Sequence, residues 1–276
     1  MYDIDGNSLN TFYDIHGNPV STIYDINGRP LTHQRVITFE DDFDGSSLDE
    51  SKWIYELGIC RPTNNELQTY RKRNVTVENG CLVITAKRES YNTKDWTSGS
   101  ITTQGKFEQR YGRWEAKIKM PVVAGAFAAF WMKGANQINI YDEDGVRTTS
   151  GTPWPQCGEI DITETIPGTA NTAQANLWKY SGGSFGEVKS SRFVPSDWNV
   201  YACEWTPEYV AFFVNDTEYE NRYVFSKYQS NEVQAYHLPF FAILNLAVGG
   251  MGGTPSSELN EMKMYVDWVR VYEPLS

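Results

Sequence analysis

The chain is 276 residues long, with 35 acidic against 24 basic side chains and a formal charge of −11. Its densest basic run, Arg71-Lys72-Arg73, is too short for a patch, which argues against duplex nucleic acid and anionic membranes as partners. No apolar stretch is long enough to span a bilayer, while an aromatic content of 14% supplies both core and flat platforms.

Three eleven-residue units open the chain, at 2–12, 13–23 and 24–34. Each places two short apolar pieces around a turn on Asp5-Gly6, His16-Gly17 or Asn27-Gly28, where glycine supplies the positive φ. Such units form small hairpins that need neighbours to bury their faces. Residues 1–34 read as a linker or attachment element, and residues 35–276 as one large domain. Each unit has too few acids at regular offsets to cage calcium. Met1 to Gly6 lack the basic start and apolar segment of a signal peptide, as expected of a module cut from a longer chain.

From Val36 onward strand follows strand. Residues 74–78, the turn Asn79-Gly80 and residues 81–86 predict a hairpin. Residues 113–120 alternate apolar and charged side chains, and residues 126–132, 199–205, 209–214, 240–247 and 262–271 continue the series. Short helical turns are expected at 47–52 and 226–235. With no long helical period, the class is all-β: two packed antiparallel sheets.

The run Gly158-Glu-Ile-Asp-Ile-Thr-Glu164 carries most of the chemistry. On a strand Glu159 and Asp161 share one face while Ile160 and Ile162 take the other. Glu164, at odd spacing from Glu159, would turn to the isoleucine face unless one extra residue near Thr163, a bulge, restores it. Three carboxyl groups would then crowd one patch and hold a proton at neutral pH. Retaining glycoside hydrolysis uses such a set: an ionised nucleophile and a protonated acid about 5–5.5 Å apart. A solvent-facing strand with acids kept outside for solubility is the plainer alternative.

Cys60, Cys81, Cys157 and Cys203 allow three pairings and match no zinc or redox spacing, so disulfides and free thiols both fit. His16, His33 and His237 are too scattered for a metal centre.

A wider pattern extends these motifs. Phe39-Glu-Asp-Asp-Phe-Asp-Gly45, Leu48-Asp-Glu-Ser-Lys-Trp53, Asn64-Asn-Glu-Leu-Gln-Thr-Tyr70, residues 77–88, Tyr111-Gly-Arg-Trp-Glu-Ala-Lys117, Trp154-Pro-Gln-Cys-Gly-Glu-Ile-Asp-Ile-Thr-Glu164 and Leu244-Asn-Leu-Ala-Val-Gly-Gly250 follow in order. Over residues 36–274 the chain resembles the laminarinase-like members of glycoside hydrolase family 16. The resemblance implies a β-jelly-roll, concanavalin A-like sandwich that cuts internal β-1,3-glucan bonds with retention, and mixed-linkage β-1,3-1,4-glucan second. Glu159 would be the nucleophile, Glu164 the acid/base, and Asp161 the residue between that tunes both. The bulged spacing resembles laminarinases; lichenases usually have the unbulged one. No catalytic cofactor is implied, and a secreted monomer is expected.

The same resemblance points to Trp131 and Trp154 as stacking platforms, although Trp131 also fits a core position. Asn65 and Arg110 would bond sugar hydroxyls on the non-reducing side, and Glu66 with Arg110 equally fits a structural pair. Trp178 departs from the pattern, since relatives commonly carry a histidine near there; it offers stacking and one N–H donor instead. A structural calcium is implied at the Glu40 backbone, Gly80 and Asp267, where a plain hairpin turn and strand alternation also suffice. Other readings are a strict mixed-linkage, lichenase-like glucanase, a hydrolase of a different polymer such as agar, a carbohydrate-binding sandwich with a dead cleft, and an adhesive module. The complete acidic strand argues against the last two.

Overall fold

A computed structural model describes residues 12–13, 19–20, 23–24, 30–31, 35–141, 147–165, 172–190 and 195–274. The chain divides into two compact units, with the boundary between Val36 and Ile37. In the first, Phe12–Tyr13 pairs antiparallel with Pro19–Val20, and Ile23–Tyr24 with Pro30–Leu31. These are two of the small hairpins expected from the repeat; the turns between their strands, and the calcium test of the repeat, lie outside the described residues.

The second unit, Ile37–Pro274, is a two-sheet sandwich. One sheet has seven strands among the described residues, in the order Val188–Ser190, Ala173–Leu177, Glu159–Glu164, Ala126–Gly134, Phe240–Val248, Ser100–Thr102 and Ile54–Tyr55. The larger sheet is built around Gly112–Lys119, Glu261–Tyr272 and Cys81–Tyr91. Period-two alternation turns Phe130, Met132, Ile160, Ile162 and Leu244 of the first sheet inward, where they meet Trp114, Ile118, Trp205, Phe212 and Val266 of the second in one cluster. Removing that apolar surface from water is the main driving force of the fold. A smaller apolar group, Ala129, Trp131, Phe241 and Ile243, lies on the other face of the seven-stranded sheet. That outer face carries the acids.

None of the four cysteines is in a disulfide, so the packed sheets close the domain without one. Of the two expected helical turns, the second contains Ser230–Val233 with 3₁₀ segments on either side. The first is a single turn, in which Lys52 and Trp53 both donate to the Asp49 carbonyl at 3.0 Å.

Candidate active site

Strand register decides where the acids point. Along Ala126–Gly134, Lys133 faces Glu159, Trp131 faces Asp161, Phe130 faces Thr163 and Ala129 faces Glu164, which leaves Ile162 without a partner. Ile162 and Thr163 therefore both oppose Phe130, a core residue, and both are fully buried. This is a bulge of two residues against one. It returns Glu164 to the face of Glu159 and Asp161. The expected extra residue near Thr163 is thus present, one position earlier at Ile162.

Glu159 and Glu164 are separated by four residues of the neighbouring strand, about 13 Å of rise. Two long glutamates reaching inward from the ends, over a short aspartate in the middle, bring three carboxyl groups into one patch. Glu159 and Glu164 are half-buried and Asp161 is buried.

The environment separates their protonation. Burial raises Glu164 to about 8, and the charges of Glu159 and Glu187 add to it. Burial also raises Glu159, but Lys133, Arg61 and the Trp154 indole oppose it and hold the group at about 7. Asp161 is pushed up by burial and by both glutamates, with a smaller opposing contribution from the Trp178 indole. Glu159 is therefore the one that ionises first, and Glu164 retains a proton to give.

Two tryptophans hold the carboxyls. Trp154 donates its indole N–H to Glu159 Oε2 at 3.0 Å, and Trp178 donates to Asp161 Oδ2 at 3.1 Å. The rings meet edge to face at 5.1 Å, and Trp154 remains 43% exposed, open to a ligand. The loop bearing Trp154 is seated closely. At Gly134 an added Cβ would fall 1.9 Å from the Cys157 carbonyl oxygen, and at Gly158, where φ is +89°, within 2.8 Å of Phe240 and Ala235. Below, the Tyr236 hydroxyl lies 3.0 Å from the Glu159 carbonyl and 2.5 Å from that of Trp178, tying the two strands together.

Trp131 is on the acidic face, but only 8% exposed. Its N–H donates to Asn245 Oδ1 at 2.7 Å, and the Arg61 guanidinium lies 4.9 Å from its ring centre. That cation covers the ring, so Trp131 is part of the floor rather than an open platform. Arg61 pairs with the buried Glu56 at 2.6 Å, and Glu56 also accepts from Ser100 and Tyr141.

The other expected residues do not all converge. Asn65 is exposed, in a left-handed turn with φ of +54°, next to the bridge between Glu66 and Gly249. Arg110 follows Gln109, which bridges Phe240 at the opposite end of the same strand. Nine residues of strand, about 30 Å, separate the two bridges. Asn65 and Arg110 therefore do not share a subsite, and the Glu66–Arg110 pair does not form. Glu66 instead accepts from Asn64 at 3.2 Å and Gln68 at 2.7 Å, while Arg110 lies over the Tyr111 ring at 5.1 Å.

The calcium positions fit poorly. The Glu40 carbonyl accepts from Lys52 Nζ at 2.8 Å, and Asp267 pairs with Lys117 Nζ at 2.7 Å. Two of the three groups meant for the ion already face ammonium groups, so with Gly80 they make no oxygen cage. Among the described residues no group of three or more histidine, cysteine, aspartate or glutamate side chains is placed to hold a metal.

Sequence reading missed Arg61, Lys133, Glu56 and Asn245. Lys133 was within reach: alternation carried one step past Met132 puts it on the face of Trp131. Arg61 lies in no periodic segment and gave no signal.

Residues 63–270 match the profile described as "Glycosyl hydrolases family 16". A "Beta-glucanase" of Rhodothermus marinus is 35% identical over 86% of this chain and 84% of its own length. A "Glucan endo-1,3-beta-glucosidase A1" of Niallia circulans is 30% identical over 86% of this chain, which spans 38% of that protein. Among solved structures, the laminarinase catalytic domain of Thermotoga maritima superimposes with a TM-score of 0.76 at 32% identity, covering 88% of this chain and 100% of that one.

Proposed function

Because the chain belongs to the glycosyl hydrolases of family 16, we propose that it is a retaining endo-β-glucanase that cuts internal β-1,3 bonds of laminarin-type glucan and accepts mixed-linkage β-1,3-1,4-glucan. It is a glycosidase on a jelly-roll fold. Relatives named for β-1,3- and β-1,3-1,4-glucan support the substrate class. The observation that carries the mechanism is the bulge at Ile162, which puts Glu164 on the face of Glu159.

Glu159 attacks the anomeric carbon while Glu164 protonates the departing glycosidic oxygen. A glycosyl ester on Glu159 results. Glu164, now ionised, takes a proton from water, which attacks the ester and releases the sugar with its configuration kept. Lys133 and Arg61 favour the charged form of Glu159, and Trp154 both holds that carboxylate and offers a ring face to the apolar side of a glucose.

Such a polymer is met outside the cell, so a secreted enzyme is part of the proposal. A structural calcium would have to displace Lys52 and Lys117 from Glu40 and Asp267.

Product profiles on laminarin, curdlan, lichenan and agarose, with Glu159→Gln as control, test the reading. Laminarin should yield mixed oligosaccharides from the start, and the control should yield none. Faster cutting of lichenan than of laminarin would make it a mixed-linkage enzyme; cutting of agarose alone would overturn the substrate class.

A further inference from the structure

We propose that Trp178 is a positioning residue for Asp161: its indole N–H decides which oxygen of that carboxyl bears the proton, and so aims an O–H donor at Glu159. The inference rests on the hydrolase reading above and assigns Trp178 a task other than touching substrate.

Asp161 is 3% exposed and lies on one face with Glu159 and Glu164. A carboxyl so enclosed keeps its proton, and burial followed by the two glutamate charges is the cause. A protonated carboxyl has one donor, and its carbonyl oxygen is the better acceptor. The Trp178 N–H can only donate, and it lies 3.1 Å from Oδ2. Oδ2 is thereby the carbonyl oxygen, and the proton sits on Oδ1. In this proposal the O–H turns to Glu159, two strand positions away on the same face, rather than to Glu164. The Oε2 of Glu159 is held by Trp154, and two cations favour its charged form, whereas Glu164 keeps its own proton.

The indole is firmly mounted. Trp178 donates its backbone N–H to the Glu159 carbonyl at 3.3 Å, its own carbonyl lies 2.5 Å from the Tyr236 hydroxyl, and its ring packs edge to face on Trp154. The donor is therefore fixed to the same backbone that carries the nucleophile. A tryptophan does not titrate, so the orientation holds at every pH where the acids work. His237, the histidine of this domain, is engaged with Tyr111 at 2.9 Å. With its O–H directed at Glu159, Asp161 steadies the carboxylate before attack and again as it leaves the glycosyl ester.

Trp178→Phe keeps the aromatic contact and removes the N–H. We expect kcat on laminarin to fall about tenfold, KM to stay within about threefold, and the acid limb of kcat/KM to move to higher pH. Trp178→His returns a donor and should recover most of the lost rate above its own titration, near pH 6.5, while adding a new limb there. A fall through KM alone, with an unmoved pH profile, would mean that Trp178 only stacks on sugar and would overturn the proposal. Infrared difference spectra against Asp161→Asn give a readout independent of turnover. The C=O stretch of protonated Asp161 should rise in Trp178→Phe; an unmoved band overturns the proposal even if the variant is inactive. A wild-type chain that cuts no β-glucan would sink the underlying reading, whereas wild-type turnover with an unmoved band sinks this inference alone.

Discussion

Replacing Glu164 with glutamine should stabilise the domain at high pH and leave it unchanged at low pH. The carboxyl is raised from 4.5 to about 8, first by burial and then by Glu159 and Glu187. A group whose folded value lies above its unfolded one contributes stability below about pH 4.5 and loses it as pH rises through about 8. The displacement, at about 1.4 kcal/mol per pH unit, corresponds to at most about 5 kcal/mol, nearly all developed by pH 9. Since the three acids titrate together, the measured gain should fall between about 2 and 5 kcal/mol. For a domain of this size that is roughly 5–15 °C in Tm. Urea unfolding followed by tryptophan fluorescence at pH 4 and pH 9 would show it. At pH 4 the wild-type carboxyl is protonated and matches the amide, so the two curves should coincide. An equal offset at both pH values, or a less stable variant at pH 9, would refute the electrostatic account of the acidic patch.

Two further outcomes follow from the geometry. Arg61→Met strands the buried Glu56 without its cation and should cost about 3–5 kcal/mol in urea unfolding, much of it recovered in Arg61→Met/Glu56→Met. Deleting Thr163 leaves a single residue opposite Phe130 and a regular Glu-Ile-Asp-Ile-Glu strand, with all three acids still outward. That variant should fold and cut glucan, with a higher lichenan-to-laminarin rate ratio, whereas inserting one alanine after Thr163 should turn Glu164 inward and abolish turnover. Equal effects of deletion and insertion would contradict the register.

The sandwich was readable because strands such as Gly112–Lys119 and Glu159–Glu164 alternate apolar and polar residues while Ala126–Gly134 and Phe240–Val248 are short, nearly continuous apolar runs, and packed sheets bury both without helices. The bulge was readable from the chemistry of the acids, since Glu164 had to reach the outer face. Its exact place was not. Ile162 and Thr163 both point into the core, so alternation cannot say which of the pair is extra. The resemblance made Trp131 a stacking platform, but nothing local announced that Arg61, seventy positions away, would cover its ring. Asn65 and Arg110, both expected to bond sugar hydroxyls on the non-reducing side, are kept apart by topology. The two segments attach to opposite ends of Phe240–Val248, and motif order along the chain carries no such distance. Two of the positions implied for calcium face side chains that the motif did not include, Lys52 and Lys117.

The measurement that reaches the centre of the account is proton NMR of the first reducing end released from laminarin, recorded before mutarotation. With Glu159 and Glu164 facing the same anomeric carbon across one sugar, the β-anomer should appear first and the α-anomer grow in only at the rate of mutarotation. An α-anomer released first would mean direct displacement by water, and the two glutamates would then not be nucleophile and acid/base.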